Sequence, residues 1–351
     1  MFIQPIVNRF SVLNSLYIRP TVKQRENNDC NVISFHGSTS AGQPLRRLRN
    51  VPCAFFDIIT INSSDIEKIK KEISKKNTVK QSVQYLRKYK HNMLPTELAI
   101  FERFETSAKD SPRMKFPDLL KKWYPEALIK LKLEEFNVLD DIDRIASKLS
   151  PDTNFAVRNE ITNCRVLLRD NQPDKPFKRK TVLNALDRIN PQPGEENIMA
   201  ELMERANYLP TSATSENAFI VKYANRSHNE ISDRLIISSV ATIDHLLAAS
   251  KGGENDIGNF ILTSAGANNL KQDMPLKKFI KRFPQVIENC QKYIDFIIDI
   301  INRGGLKGNQ SYPYKIKTTL ARESNNKIKL DLSNFIYSKA EAKELEKAQK
   351  K

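Results

Sequence analysis

One stretch, residues 239–275 (SVATIDHLLAASKGGENDIGNFILTSAGANNLKQDMP), constrains the fold more than any other. His245, one of four histidines, directly follows Asp244. Asn259 lies 15 residues after Asp244, and Asn268 lies 24 after it. A Gly252-Gly253 turn precedes Asn259, and the apolar run Phe260, Ile261, Leu262 follows it. This order predicts a strand, a loop, a second strand and a short helix. Asp244 and His245 then stand at the end of the first strand, and Asn268 stands on the helix.

These residue types suit phosphodiester chemistry. Hydrolysis needs a water deprotonated near neutral pH and a cation beside the leaving oxygen. Histidine supplies a base in that range. Mg²⁺ takes oxygen ligands and retains several waters, so one carboxylate and one amide oxygen can hold it beside a phosphate. Asp244 and Asn268 offer those oxygens.

The stretch resembles the HNH nucleases of the ββα-metal fold, and its spacing is similar to that of the HNH domain in RNA-guided CRISPR nucleases. The features that carry the resemblance are Asp244-His245, Ser250-Lys251-Gly252-Gly253, Asn255-Asp256-Ile257-x-Asn259 and Asn268-x-x-Lys271. They span about 40 of the 351 residues. The resemblance implies that Asp244 and Asn268 are metal ligands for Mg²⁺ or Mn²⁺ and that His245 is the general base. Asn259 is implied to brace the loop through backbone hydrogen bonds, and Lys271 to face a phosphate. The imidazole is expected to be held by a backbone carbonyl. Many HNH domains carry two CxxC pairs on a structural zinc. Here the later pair falls on Ser264 and Ala267, and residues 223–233 hold no cysteine, so no structural zinc is expected. The small unit must then be held by packing, which a long helix over 276–303 is expected to provide.

The implied function is a metal-dependent endonuclease acting on nucleic acid, DNA in the first instance. Multi-subunit bacterial defence systems that use HNH effectors suggest a protein partner such as an ATPase or sensor. The rival reading is an HNH-like fold without catalysis, kept as a nucleic-acid-binding or partner-controlled subunit. A homing or restriction enzyme with site specificity is a third reading.

Charge supports a polyanionic partner. The net charge is +16, unevenly placed. Residues 65–90 carry nine Lys/Arg against three acids, and 276–351 carry 17 against eight, whereas 230–275 carries three against six. Basic flanks would hold phosphates while an acidic centre holds a cation. Arg234, Lys251, Lys277, Lys278, Lys281 and Arg282 are the candidate phosphate contacts beside Lys271. Tyr85 and Tyr89, interleaved with Arg87, Lys88 and Lys90, suggest a further nucleic-acid contact. The four cysteines, Cys30, Cys53, Cys164 and Cys290, have no motif spacing and read as reduced thiols. The N-terminus lacks the basic start and apolar core of a signal peptide. No apolar run approaches the roughly 20 residues of a membrane span. A cytoplasmic protein without a membrane partner is expected.

The fold class expected is α+β, a mostly helical scaffold carrying a small ββα unit. Four regions are expected: a mixed N-terminal segment (1–62), a helical, partly basic domain (63–208), the nuclease with its following helix (209–304), and a basic tail ending in a helix (305–351). Short strands are expected at 31–35 and 54–61, and His36-Gly37, beside the loop at 38–44, suggests a phosphate contact. Ile66, Ile69 and Ile73 behind Ser64-x-x-Glu67 predict a helix. Helices are expected over 79–90, 95–104, 116–123, 137–149, from Ser150-Pro151 onward, and over 181–189 and 195–208. The only tryptophan, Trp123, reads as core. Proline-rich loops at 171–176 and 190–194 punctuate this region. Residues 209–216 read as a hinge, 219–223 as a helix or strand, and His228 as a surface residue in a polar loop. The helix over 276–303 should bend near Pro284, and 312–319 with 327–332 could pair as strands.

Overall fold

A computed structural model describes residues 42–170, 179–271 and 274–349. The chain is mostly helical, with one two-stranded antiparallel sheet, an α+β architecture. The expected strand at 31–35, the His36-Gly37 contact, the loop at 171–176 and Cys30 lie outside the described residues. Among the described residues no helix is long and apolar enough to cross a membrane. The fold divides into two compact units, each built from separated stretches. Among the described residues, one comprises 77–83, 99–170 and 179–231, and the other 42–76, 84–98, 232–271 and 274–349.

The first unit is helical. Where two helices are expected at 116–123 and 137–149, a single helix of 31 residues, Phe116–Ala146, runs through both. Pro125 lies inside it, but Ala127, Leu131, Glu135, Val138, Leu139, Ile142 and Ala146 continue one buried stripe at spacings of three and four. That stripe outweighs the one hydrogen bond the proline removes. Its C-terminal half packs with Pro151–Asp170, Arg179–Asp187 and Glu196–Ala206 around Leu139, Ile142, Val157, Ile161, Val182 and Leu202. Glu195 ties this core's ends. Its carboxylate accepts from Ser150 N at 2.6 Å, Thr153 Oγ1 at 2.7 Å and Gln192 N at 2.8 Å. These bonds, the one from Ser150 foremost, hold its carboxyl down to about 2. Trp123 is half-buried, stacked on Phe104 at 5.3 Å with the Arg103 guanidinium over its ring.

His228 is not on the surface. It opens the helix His228–Ile237 and is buried, stacked on Phe116 at 4.5 Å. Phe116 N donates to its Nδ1 at 3.0 Å, so Nδ1 carries no proton. Nε2 must then be protonated and donate to Ser82 Oγ, 2.7 Å away. Ser82 and Phe116 are remote in sequence, so the polar neighbours of His228 misrepresented its surroundings.

The second unit contains the sheet. Strand β1 (Ala241–His245) pairs with β2 (Phe260–Ser264), in register from Ala241 opposite Ser264 to His245 opposite Phe260. The helix Ala265–Lys271 follows β2 without a break and packs on both strands. Burial alternates along β1, whereas every residue of β2 is buried.

Two strands cannot satisfy their own edges. Ile61 bridges Val240 just before β1, and Ala241 N donates to Ile61 O at 2.7 Å. Ala54 N donates to Leu262 O, and Cys53 Sγ contacts both Thr263 Oγ1 and Ser264 N. The expected strand at 54–61 is therefore an irregular segment making isolated bridges, because it serves both strands in turn instead of pairing along one. Two tyrosines also reach β2. Tyr312 donates to Phe260 O at 2.9 Å, Leu262 N donates to the Tyr293 hydroxyl at 3.4 Å, and the two hydroxyls lie 2.9 Å apart.

These tyrosines come from helices that depart from expectation. The helix over 276–303 is two, Leu276–Arg282 and Val286–Asn302, since Pro284 removes a donor and turns Phe283 out of helical geometry. Residues 312–319 are not a strand but part of the helix Tyr312–Glu323, with Pro313 in its first turn. Tyr312, Ile316 and Leu320 are buried at helical spacing, which decides against the alternation of Tyr314, Ile316 and lysines.

Two stability predictions follow from these contacts. His228 is held down from 6.5 to about 4, by burial first and Lys115 second. The neutral ring is the folded-state form, so its contribution is complete above about pH 6.5 and is lost as pH falls toward 4. Urea unfolding should show a loss of up to about 3 kcal/mol across that window, and His228→Gln should lack that component. Tyr312→Phe leaves the Phe260 carbonyl and the Tyr293 hydroxyl short of a partner. It should cost about 1–3 kcal/mol, measured by the same method.

Candidate active site

The strand–loop–strand–helix order brings Asp244, His245, Asn259 and Lys271 to one end of β1. Alternation along the strand turns Asp244 inward, 6% exposed, and leaves His245 half-buried on the other face. Lys271, at the end of Ala265–Lys271, is 1% exposed and sets its Nζ 3.0 Å from Asp244 Oδ2. The same ammonium donates to His245 O at 2.7 Å. Asn268 is half-buried and lies three residues earlier, on the helix face that carries Lys271. The first turn of this helix packs tightly against Leu94 and Ser238 because residue 266 is glycine. A Cβ there would stand 2.1 Å from Leu94 Cδ1 and 2.9 Å from Ser238 Cβ.

The loop between the strands is folded around the Asn259 side chain. Leu247 N donates to Asn259 Oδ1 at 2.9 Å, and Asn259 Nδ2 donates to Leu247 O and to Glu254 O, both at 3.0 Å. Gly253 permits the tight return, since a Cβ there would lie 1.9 Å from Leu247 O. The loop brings Asn255 beside the imidazole, with Oδ1 3.1 Å from His245 Nε2. Phe260 meets the ring edge-to-face at 4.6 Å. The imidazole is thus held by a side-chain amide oxygen rather than by the backbone carbonyl expected, because the loop carries residue 255, not a peptide oxygen, to the ring.

Burial pushes the Asp244 carboxyl up, opposed by the Lys271 ammonium and the His245 N–H. The contact with Lys271 is an ion pair: the buried Oδ2 accepts no well-directed hydrogen bond. Such an oxygen has charge compensation but an incomplete shell of donors. The Asp244 carboxylate and the Asn268 amide are each hard oxygen donors of the kind Mg²⁺ or Mn²⁺ takes. Among the described residues no group of three or more His, Cys, Asp and Glu is placed to hold a metal.

The candidate phosphate contacts separate into two sets. Lys251, Lys277, Lys278 and Lys281 are exposed. Lys271 is buried and turned inward to Asp244, so it is not a surface cation. Arg234 has a 15% exposed side chain and pairs with buried Glu97 at 2.5 Å, and Ser238 Oγ donates to that same carboxylate oxygen. Arg282 is buried as well. Nothing near Arg234 in the sequence points to Glu97. In the same unit Tyr85 and Tyr89 lie 5.9 Å apart, with Lys88 Nζ 4.0 Å above the Tyr85 ring. Asn255 carried no assigned role in the sequence, although its place between the Gly-Gly turn and Asn259 was a signal.

Comparison of the chain with protein-family models, with characterised proteins and with solved structures finds no match.

Replacing Lys271 with Met strands the Asp244 carboxylate without its counter-charge. Removing one partner of a buried pair costs about 3–5 kcal/mol. Urea unfolding should show a loss of that order, and the double variant Asp244→Asn/Lys271→Met should recover much of it.

Proposed function

We propose that this chain is a metal-dependent endonuclease of the HNH type, cutting nucleic acid, DNA in the first instance. The observation that supports the reading best is the β1–loop–β2–helix unit. It sets Asp244 and His245 at one strand end, joins that end to the following helix through Lys271, and clamps the intervening loop on Asn259. Asp244 and Asn268 would hold the cation, which when bound stabilises charge on the leaving oxygen. His245, half-buried and reachable from solvent, takes a proton from the water that attacks phosphorus. Asn259 fixes the loop. Lys251, Lys277, Lys278 and Lys281 supply exposed positive charge for the phosphate backbone, in keeping with the excess of +16.

A second reading, a nuclease fold controlled by a protein partner, draws on the helical unit. That unit contributes none of the motif residues, which all lie in 232–271. Purified chain incubated with supercoiled plasmid and Mg²⁺ or Mn²⁺ separates the readings. An autonomous enzyme nicks; a partner-controlled or inactive one does not. His245→Ala should lower nicking by about 10²–10⁴-fold and leave plasmid retention in a gel-shift assay nearly unchanged. Undiminished nicking by that variant would remove His245 from the mechanism.

A further inference from the structure

The nuclease reading needs one imidazole nitrogen to carry a lone pair toward water, but nothing in that reading says which. His245 has two ring nitrogens, and its neutral form protonates only one of them. The neighbour that fixes the choice is therefore part of the machinery.

Around His245 the geometry leaves one such neighbour. Nε2 lies 3.1 Å from Asn255 Oδ1, a carbonyl oxygen that can only accept. That contact requires the hydrogen on Nε2 and leaves the lone pair on Nδ1. Among the described residues it is the only hydrogen bond to the ring, and Phe260 meets the ring with hydrocarbon. Asn255 is itself placed from behind. Asn259 Nδ2 binds the carbonyl of Glu254, the preceding residue, and Gly253 makes the close return against Leu247 O. Next, Asp256 Oδ1 accepts from Gly258 N at 2.7 Å, which fixes the chain on its other side. An exposed side chain whose two neighbouring residues, Glu254 and Asp256, are both hydrogen-bonded is held in register with the ring.

We infer that Asn255 is the positioning residue of this site: its side-chain oxygen selects the Nε2–H tautomer of His245 and so makes Nδ1 the nitrogen that receives the proton. The inference rests on the nuclease reading for its consequence, and on geometry alone for the tautomer.

Two substitutions at this exposed position separate the role from a merely structural one. Asn255→Asp keeps an acceptor. Asn255→Lys offers only donors, so Nε2 must give up its hydrogen to pair with it. ¹⁵N NMR of histidine-labelled full chain, at a pH where the ring is neutral, reads the tautomer directly. Wild type and Asn255→Asp should show a pyrrole-type Nε2 and a pyridine-type Nδ1. Asn255→Lys should shift His245 toward the reverse pattern. In the plasmid assay Asn255→Lys should lower kcat by about 10–100-fold without raising KM, since the added cation favours a polyanion. Asn255→Asp should keep kcat within a few-fold while KM rises. A His245 spectrum identical in wild type and Asn255→Lys overturns the inference, as does a kcat unchanged by the lysine. If wild type does not nick at all, the nuclease reading falls, and the tautomer spectra still decide what Asn255 does to His245.

Discussion

A sheet of two strands has no interior strand, so all of its backbone groups that face outward need partners from elsewhere. The strand-bearing unit is arranged around that requirement. Ile61 continues the bonding at the start of β1, Cys53 and Ala54 serve β2, and Tyr293 and Tyr312 bring hydroxyls to the Phe260 and Leu262 backbone. The contacts come from the segment 53–61 and from two later helices, and each is buried, where an unmet donor or acceptor costs most. The length of chain around so small a sheet follows from this. The residues before β1 and the helices after Lys271 are what let β2 be buried along its whole length.

Rigidity at β2 is transmitted to the site through short covalent paths. Asn259 is the residue before Phe260, and Ala265–Lys271 begins where β2 ends. The loop clamp and the helix that carries Asn268 and Lys271 are therefore both anchored on the immobilised strand. Lys271 then closes the circuit by reaching across to Asp244 and the His245 carbonyl. A buried ammonium serves this purpose better than an exposed one would, because its pairing is neither screened by salt nor offset by a freely rotating side chain.

The local parts of this arrangement were legible in the sequence and the distant ones were not. The Asp-His pair, the glycine turn and the apolar run that follows it gave two strands and a helix, because strand period, turn chemistry and helix start are properties of adjacent residues. Ser150-Pro151 opened its helix for the same reason, whereas Pro284, expected to bend one helix, divides it in two. His228 looked solvent-exposed because Asn229 and Glu230 are polar, while the Phe116 ring and Ser82 hydroxyl that enclose it are remote in sequence. Arg234 looked like a free cation because Glu97 is equally remote. Residues 312–319 alternate well enough to pass for a strand, and only the burial of Tyr312, Ile316 and Leu320 against other elements decides for the helix.

The same distinction bears on how charge is divided. Composition gives a basic protein with an acidic centre, and it would be natural to count every lysine and arginine near that centre as a phosphate contact. Burial divides them instead. Lys271, Arg234 and Arg282 lie inside the fold, and the first two compensate the carboxylates of Asp244 and Glu97. Lys251, Lys277, Lys278 and Lys281 remain at the surface, where the proposed polyanion would meet them. A buried cation is specific because it has one partner at one distance; a surface cation is general because water lets it take any. The two kinds read alike in the sequence, because what separates them is burial against remote residues, and composition carries no trace of it.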